Sequence, residues 1–167
     1  GQYLAVNNMN EGYSETLQDI ASSNPTPGGG SVSALVLAHG HALAVMVSRL
    51  TVGKNKWHEG HLISNLIIDS SIESLDRAIS LAKEDSLAFD KVMNSYRMAK
   101  SNDEEIESRK LAILQSTIGA AQTPLEIAEE GFKLLSLLPD LARFGNLNAI
   151  TDLAASSELA YVAVYIA

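Results

Sequence analysis

The stretch NPTPGGGSVSALVLAHGHALAVMVSRLTVGK, residues 24–54, places two prolines and three consecutive glycines directly before a run of small apolar residues. Proline and glycine at this density indicate a loop over residues 24–30. Ser31 is a suitable N-cap for the helix that follows, which is predicted to end near Leu50, before Gly53 as a stop signal. Because few polar residues interrupt this helix, we expect it to be buried in the core.

The composition of the 167-residue chain fits one domain of helices packed on helices. Hydrophobic residues make up 46% and aromatic residues only 5%, so Leu, Ile, Val and Ala must fill the core. No strand-like alternation is convincing. The predicted fold class is therefore an all-α multihelical bundle, in a single domain over residues 1–167.

The formal net charge of −8 disfavours nucleic acid and anionic membrane as partners, because both attract basic surfaces. The apolar run from Val32 to Val47 is short for a membrane span, and His39, Gly40 and His41 interrupt it. No signal peptide is predicted from the first residues. With no cysteine there is no disulfide or thiol nucleophile, which fits a reducing compartment. We expect no membrane association and a cytoplasmic location.

The longest predicted helix runs from about Trp57 to Met98, with a break allowed near Asp85. A helix of that length overhangs a small monomer, so it predicts one long central helix and a homodimer. Its stripe recurs at alternating steps of four and three residues: Ile68, Ile72, Leu75, Ile79, Ala82, Ser86, Phe89, Met93 and Tyr96.

Four other helices are predicted. The first covers residues 10–23. The second is capped by Ser101 or Asn102, has an acidic first turn and ends near Gln122; the third covers residues 123–144, and the last runs from Asn146 or Asn148 to the end of the sequence. In the first of them, Leu17 and Ile20 are expected to face inward. Pro139 is expected to break the third. The last is apolar on all sides, so we expect it to be buried, and Asp152 on it then needs a partner or a function.

Several residues are candidates for binding or catalysis. The glycines leave backbone N–H groups uncovered next to a helix N-terminus, which suits a phosphate or carboxylate ligand; the alternative is a flexible loop. Asp85 lies at the border of the apolar stripe and is a candidate for proton transfer; the alternative is a solvated acid. Lys54, Lys56 and Arg49 could hold an anionic ligand or simply be a solvated helix end.

Metal binding and serine hydrolysis are disfavoured. His39 and His41 are two residues apart on a helix and face different ways, and His58 and His61 have no obvious third ligand. Ser31 lacks the local pattern of a nucleophile elbow.

Several motifs together resemble the formiminotetrahydrofolate cyclodeaminase and methenyltetrahydrofolate cyclohydrolase family. The first, and the most specific, is Pro25-Thr26-Pro27-Gly28-Gly29-Gly30-Ser31 with the alanine-rich helix after it. The resemblance covers residues 17–167. The further matching motifs are Met46-Val47, Leu50-Thr51-Val52-Gly53-Lys54, Glu84-Asp85-Ser86 with Phe89, Ala121 with Pro124-Leu125, Gly145-Asn146 and Asp152.

The resemblance implies an all-α homodimer that binds a reduced folate and acts on its formimino or methenyl group. Its only cofactor would be the tetrahydrofolate carrier, which is the substrate, and no metal is needed. The implied catalytic residues are Asp152 and Asp85. The implied substrate-binding residues are Gly28, Gly29, Gly30, Ser31, Lys54 and Asn146.

The chain also departs from the family pattern. His39 and His41 replace small or aliphatic residues, and a further C-terminal helical stretch of the family is expected to be lacking after Ala167. These departures motivate a rival hypothesis, a non-catalytic helical dimer that keeps the scaffold for interaction or ligand binding. A phosphate-binding module is a third hypothesis. Convergence of Asp85, Asp152 and Lys54 on one cleft would favour the enzyme.

Overall fold

The computed structural model describes residues 11–167, and no strand occurs within that range. The all-α prediction is therefore confirmed. Two short 3-10 turns, Asn55–Gly60 and Leu147–Ala149, precede the third and the last of the helices. The helices are α1 (Glu11–Ile20), α2 (Gly29–Thr51), α3 (His61–Arg97), α4 (Asp103–Ala120), α5 (Gln122–Phe144) and α6 (Ile150–Ile166).

The helix at the centre of the core is α2, as the opening stretch predicted. It packs against α3, α5 and α6. Twelve of its 23 residues are buried, compared with seven of the 37 residues of α3. A Cβ added to Gly40 would lie 3.3 Å from the carbonyl oxygen of Ser156. Small residues thus allow α6 to approach α2 closely. The longest helix, α3, runs beside this core helix and is not itself the centre of the core.

Two hydrogen bonds fix α6 on α2. The Ser33 hydroxyl donates to the carbonyl oxygen of Ala163, and the Ser156 hydroxyl donates to that of Gly40, both at 2.7 Å. Both serine side chains are fully buried, so each bond satisfies a hydroxyl that would otherwise be costly to desolvate. The order of these contacts makes α6 antiparallel to α2.

The start of two helices differs from the prediction. Gly28, and not Ser31, is the N-cap of α2, which begins at Gly29. The Ser31 side chain is instead engaged by α3, as described below. The long helix begins at His61 because Trp57 has the non-helical dihedral angles φ −116° and ψ 29°.

Two predicted helix breaks are wrong. Helix α3 continues without interruption through Asp85. The side chain of Asp85 accepts a hydrogen bond from Ser31 of α2, and the backbone at this position stays helical. Helix α5 continues through Pro139, which lies on its exposed side in the last two turns. The proline removes one backbone N–H donor near the end of a helix that is held by its packing on α2 and α6, so the helix tolerates it.

Only part of the apolar stripe predicted for α3 packs on α2: Ala82 is buried and Ser86 contacts Ser31 of α2. Ile72 and Ile79 are 43% and 50% exposed. In α1, Leu17 is likewise 50% exposed and does not face inward. Most buried positions of α3 are serine or alanine, and a pattern of large apolar residues does not indicate such positions. These positions are Ser64, Ile67, Ser71, Ala78, Leu81, Ala82 and Ser95.

The prediction that α6 is buried on all sides is also wrong. Tyr161 and Tyr165 are 58% and 79% exposed. The helix is apolar all round, but within residues 11–167 only one of its faces is buried. Its buried residues are Leu153, Ser156, Ala160 and Ala163.

Two segments, Gly29–Thr51 and Leu147–Ile166, are long and apolar enough to cross a membrane. Length and composition alone are weak indicators, because the core helix of a globular protein satisfies them too. The position of α2 at the centre of the bundle accounts for its composition. The absence of membrane association stays a prediction.

Candidate active site

The glycine loop meets α3 at Asp85. A Cβ added to Gly30 would lie 2.7 Å from Cγ and 2.8 Å from Oδ2 of Asp85, which is closer than real side chains approach. At Gly29 the same added atom would meet nothing within 4 Å. The carboxyl group of Asp85 therefore explains why position 30 is a glycine, and it places no such demand on position 29.

A chain of hydroxyl groups orients this carboxylate. Ser31 Oγ donates to Asp85 Oδ2 at 2.9 Å and lies 3.0 Å from Ser86 Oγ. Because Ser31 has one hydroxyl proton, Ser86 donates to Ser31 in this arrangement. Ser31 is buried and Asp85 is half-buried. We call Gly30, Ser31, Asp85 and Ser86 the Asp85 cluster.

Ser86 is a member of the Asp85 cluster that the sequence analysis did not single out. It stands next to Asp85 in the Glu84-Asp85-Ser86 motif. Consecutive residues of a helix normally diverge by about 100°, so adjacency alone did not predict a shared contact. The hydroxyl of Ser31, between the two side chains, joins them.

The electrostatic setting of the cluster is the N-terminus of α2. The N-cap Gly28 has no side chain to satisfy the first N–H groups of the helix. The carboxylate of Asp85 lies against this end, where the helix dipole favours negative charge. The carboxylate that lies nearest to the glycines is therefore that of Asp85, a group of the protein and not of a ligand. That Gly28, Gly29, Gly30 and Ser31 contact a substrate stays a prediction.

Asn146 and Lys54 lie at the opposite end of α2. The Asn146 backbone N–H donates to Thr51 Oγ1 and its side-chain amide donates to the Leu50 carbonyl, both at 3.0 Å. Its Oδ1 accepts from the backbone of Asn148, also at 3.0 Å. Asn146 therefore ties the turn before α6 to the end of α2, while Lys54 is exposed just after that end.

The predicted site residues thus fall into two groups within one chain. Between Gly29 and Thr51 the helix rises by about 33 Å. The Asp85 cluster lies at the first end, and Asn146 and Lys54 lie at the second. The structure brings Gly30, Ser31 and Asp85 together and does not bring Lys54 to them in the same chain.

Asp152 belongs to neither group by direct contact. It lies one turn before Ser156 in α6, and Ser156 is bonded to the middle of α2. Its side chain is half-buried and makes no hydrogen bond with another side chain or backbone group in residues 11–167. A carboxylate in this position is available to a ligand or a partner chain, and its catalytic role stays a prediction.

The most perturbed histidine is His41, in the interior of the bundle. It is 2% exposed, and neither ring nitrogen has a hydrogen-bond partner among the described residues. Burial lowers the pKa of His41 to about 4, against the opposing effect of the negative charge of Glu130. His41 is therefore neutral at physiological pH. In the described part of the chain, no three His, Asp or Glu side chains are grouped to hold a metal ion.

Comparison with known proteins gives a consistent result. The family profile described as formiminotransferase-cyclodeaminase matches residues 12–167. The chain is 37% identical to methenyltetrahydrofolate cyclohydrolase of Methylorubrum extorquens, over 86% of this chain and 69% of that protein. It is 31% identical to the chicken formimidoyltransferase-cyclodeaminase over 87% of this chain, but spans only 27% of that longer protein.

The crystal structure of one relative has a similar fold. Formiminotetrahydrofolate cyclodeaminase of Thermotoga maritima superposes with a TM-score of 0.80 and 30% identity, over 92% of this chain and 72% of that one. Fold and relatives together define the class as an all-helical enzyme of folate one-carbon metabolism. The chain belongs to the formiminotransferase-cyclodeaminase family. The class predicted from the sequence motifs is confirmed.

Proposed function

We propose that this chain catalyses a reaction at the one-carbon group bound to the nitrogens of tetrahydrofolate. The Asp85 cluster carries the proposal, because it holds a half-buried carboxylate in one orientation against the glycine loop. A carboxylate fixed in this way can stabilise a cationic carbon and accept a proton. The proposed chemistry needs no metal and no cofactor beyond the folate carrier itself.

Two reactions of this class fit the proposal. In cyclodeamination, a folate nitrogen attacks the formimino carbon and ammonia leaves from the tetrahedral intermediate. In hydrolysis, water attacks the methenyl carbon, one C–N bond breaks and formyltetrahydrofolate results. In both reactions the attacking group must lose a proton, and we assign its removal to Asp85, with Asp152 as the second candidate. One relative is named a cyclohydrolase and another a cyclodeaminase, so the proposal includes both reactions.

We further propose that the working unit is a homodimer. Within one chain, α2 separates Lys54 and Asn146 from the Asp85 cluster by about 33 Å. In an antiparallel pair, the Asp85 cluster of one copy would lie near Lys54 of the partner subunit. Lys54 would then bind an anionic part of the folate. The net charge of −8 and the proposed substrate both fit a cytoplasmic enzyme without a nucleic-acid partner.

The proposal is tested by supplying purified protein with methenyltetrahydrofolate and formiminotetrahydrofolate separately, following absorbance and ammonia release. Asp85→Asn keeps the shape and removes the charge, so turnover should fall by about a hundredfold or more. Asp152→Asn is assayed in parallel, and Asp90→Asn, an exposed acid on the same helix as Asp85, is the matched control. Full activity of the Asp85 variant with its fold intact would refute the assignment of Asp85.

The rival function is a non-catalytic folate-binding or interaction module. The observation that favours it is the separation of Asp85 from Lys54 within one chain. Tight folate binding without turnover of either substrate by the wild-type protein would support the rival. Turnover of either substrate would exclude it.

A further inference from the structure

The two oxygens of the Asp85 carboxylate have different surroundings. Oδ2 accepts the hydrogen bond from Ser31 Oγ at 2.9 Å. Oδ1 accepts no hydrogen bond from any group within residues 11–167. It is not enclosed either, because the fully buried side-chain atoms without a partner in that range belong to His41, Ser48 and Ser64. One oxygen is therefore held by the protein, whereas the other is open to a ligand.

The Gly30 backbone fixes the side on which Oδ1 lies. Of the Asp85 side-chain atoms, Oδ1 would be the closest to a Cβ added at position 30, and Cγ and Oδ2 follow at 2.7 Å and 2.8 Å. The carboxyl group thus packs against a backbone without a side chain at the first turn of α2. The hydrogen bond on one oxygen and this packing on the other leave the carboxylate one orientation, with Oδ1 at the glycine loop.

Ser86 determines the direction of the hydrogen bond that Ser31 donates. The two hydroxyl oxygens are 3.0 Å apart, and Ser31 uses its single proton on Asp85, so Ser86 is the donor between them. Ser31 is only 1% exposed, so solvent cannot take the place of Ser86 as a donor. Hydrogen bonds in such a chain polarise one another, which strengthens the bond to the carboxylate. Within the described residues no hydrogen bond joins Ser86 to Asp85 directly, so its effect passes through Ser31.

We propose that Oδ1 of Asp85 is the atom that removes the proton from the attacking group, and that Ser86 is a positioning residue that acts on Asp85 only through Ser31. This assignment rests on the proposed function and names its reacting atom. The same oxygen then returns the proton to the leaving nitrogen, because Oδ2 stays engaged by Ser31. One carboxylate thus serves first as a base and then as an acid.

The proton balance holds for both reactions. In cyclodeamination of the protonated formimino group, the attacking folate nitrogen loses its proton to Oδ1 as the new C–N bond forms. Oδ1 returns that proton to the amino group, the C–N bond to this group breaks, and ammonia and the cationic methenyl folate result. In hydrolysis, water loses one proton to Oδ1 as its oxygen bonds to the methenyl carbon. Oδ1 passes this proton to the leaving folate nitrogen, and the second proton of water goes to solvent as the formyl C=O forms.

Steady-state kinetics with Ser86→Ala, Ser31→Ala and the double variant S31A/S86A test the chain of hydroxyl groups. Loss of a hydrogen bond to an ionised group should lower kcat about tenfold or more for Ser31→Ala, and loss of a bond between neutral groups about threefold for Ser86→Ala. KM should change little in Ser86→Ala, since Ser86 does not touch the substrate. The double variant should be no slower than Ser31→Ala, because Ser86 acts only through Ser31. Losses that multiply in the double variant, or an unchanged kcat in Ser86→Ala, would overturn the proposal.

Two further serine variants separate positioning from a general effect on the fold. Ser86→Thr keeps a hydroxyl and should recover most of the turnover lost in Ser86→Ala. Ser80→Ala, which removes an exposed hydroxyl on the same helix, is the matched control and should have full activity. In crystals of Asp85→Asn with formyltetrahydrofolate bound, the one-carbon group should lie beside the carboxamide atom that Ser31 does not bond. Its location on the other side would refute the assignment of Oδ1.

Urea unfolding of the same variants gives a readout that does not depend on turnover. Ser86→Ala should lower the unfolding midpoint in the wild-type background and leave it unchanged in the Ser31→Ala background. An active enzyme without this coupling refutes the positioning role alone. A protein that shows the coupling but turns over neither substrate refutes the folate reaction, and Ser86 then positions Asp85 without catalysis.

Discussion

Replacement of Gly30 by alanine is expected to displace the carboxylate on which the proposed chemistry depends. The new Cβ would lie 2.7 Å from Cγ of Asp85, whereas ordinary contact begins at 3.4 Å, so the carboxyl group or the helix must yield by the difference. The hydrogen bond from Ser31, now 2.9 Å long, would be strained or broken. Overpacking of this kind costs about 1–3 kcal/mol of unfolding free energy. Displacement of a reacting group by about 1 Å can lower turnover by about a hundredfold.

Gly29→Ala is the control for this substitution, because its Cβ would meet nothing within 4 Å. Alanine favours helix over glycine by up to about 1 kcal/mol, so this neighbour should be neutral or slightly stabilised. Urea unfolding measures both variants, and the folate assays measure their turnover. A double-mutant cycle with Asp85→Ala removes the carboxyl group, and the penalty at Gly30 should then disappear. Equal stability of the two alanine variants would refute the packing argument.

Two further predictions concern charged groups away from the site. Because burial lowers the pKa of His41 from 6.5 to about 4, the unfolded chain binds the proton more tightly, and stability should fall by about 3 kcal/mol as the pH drops between these values. His41→Leu should flatten this dependence in urea unfolding across pH, whereas the exposed His39→Leu should leave it unchanged. Arg77 bonds Glu84 and Glu126 with both sides of its guanidinium group. Arg77→Lys should cost about 1 kcal/mol at low salt and less at 1 M salt; an equal cost at both would contradict the ion-pair role.

The sequence predicted helices well where the signals, such as a capping residue or a run of small apolar residues, lie in the helix itself. The side chain of Asn102 accepts from the backbone of Glu105 at 2.9 Å, as a cap before an acidic first turn should. The small apolar residues of α2 predicted a core helix, and α2 is the core helix. In both cases neighbouring residues alone determine the outcome.

Features that depend on distant residues could not be predicted from the sequence. Gly30 is fixed by Asp85, which is 55 positions away in sequence and reaches it only after α3 has folded back. The face that α3 buries is rich in serine and alanine, so the large apolar residues Ile72 and Ile79 indicated a face that is only partly buried. The separation of Asp85 from Lys54 arises because Asp85 docks at the first end of α2 against Ser31, a contact between residues 54 positions apart that local patterns do not predict.

The two serine bonds between α2 and α6 affect how the last helix opens. The bonded positions on α2, Ser33 and Gly40, are about 10 Å apart along the axis, so they fix both the position and the direction of α6. Neither bond can break without exposing a buried hydroxyl and a carbonyl together. The backbone amides of α6 near Ser156 and Ala163 should therefore exchange with solvent at the slow rate of the core, although most of the helix surface faces water. We therefore expect α2 and α6 to open as a single cooperative unit.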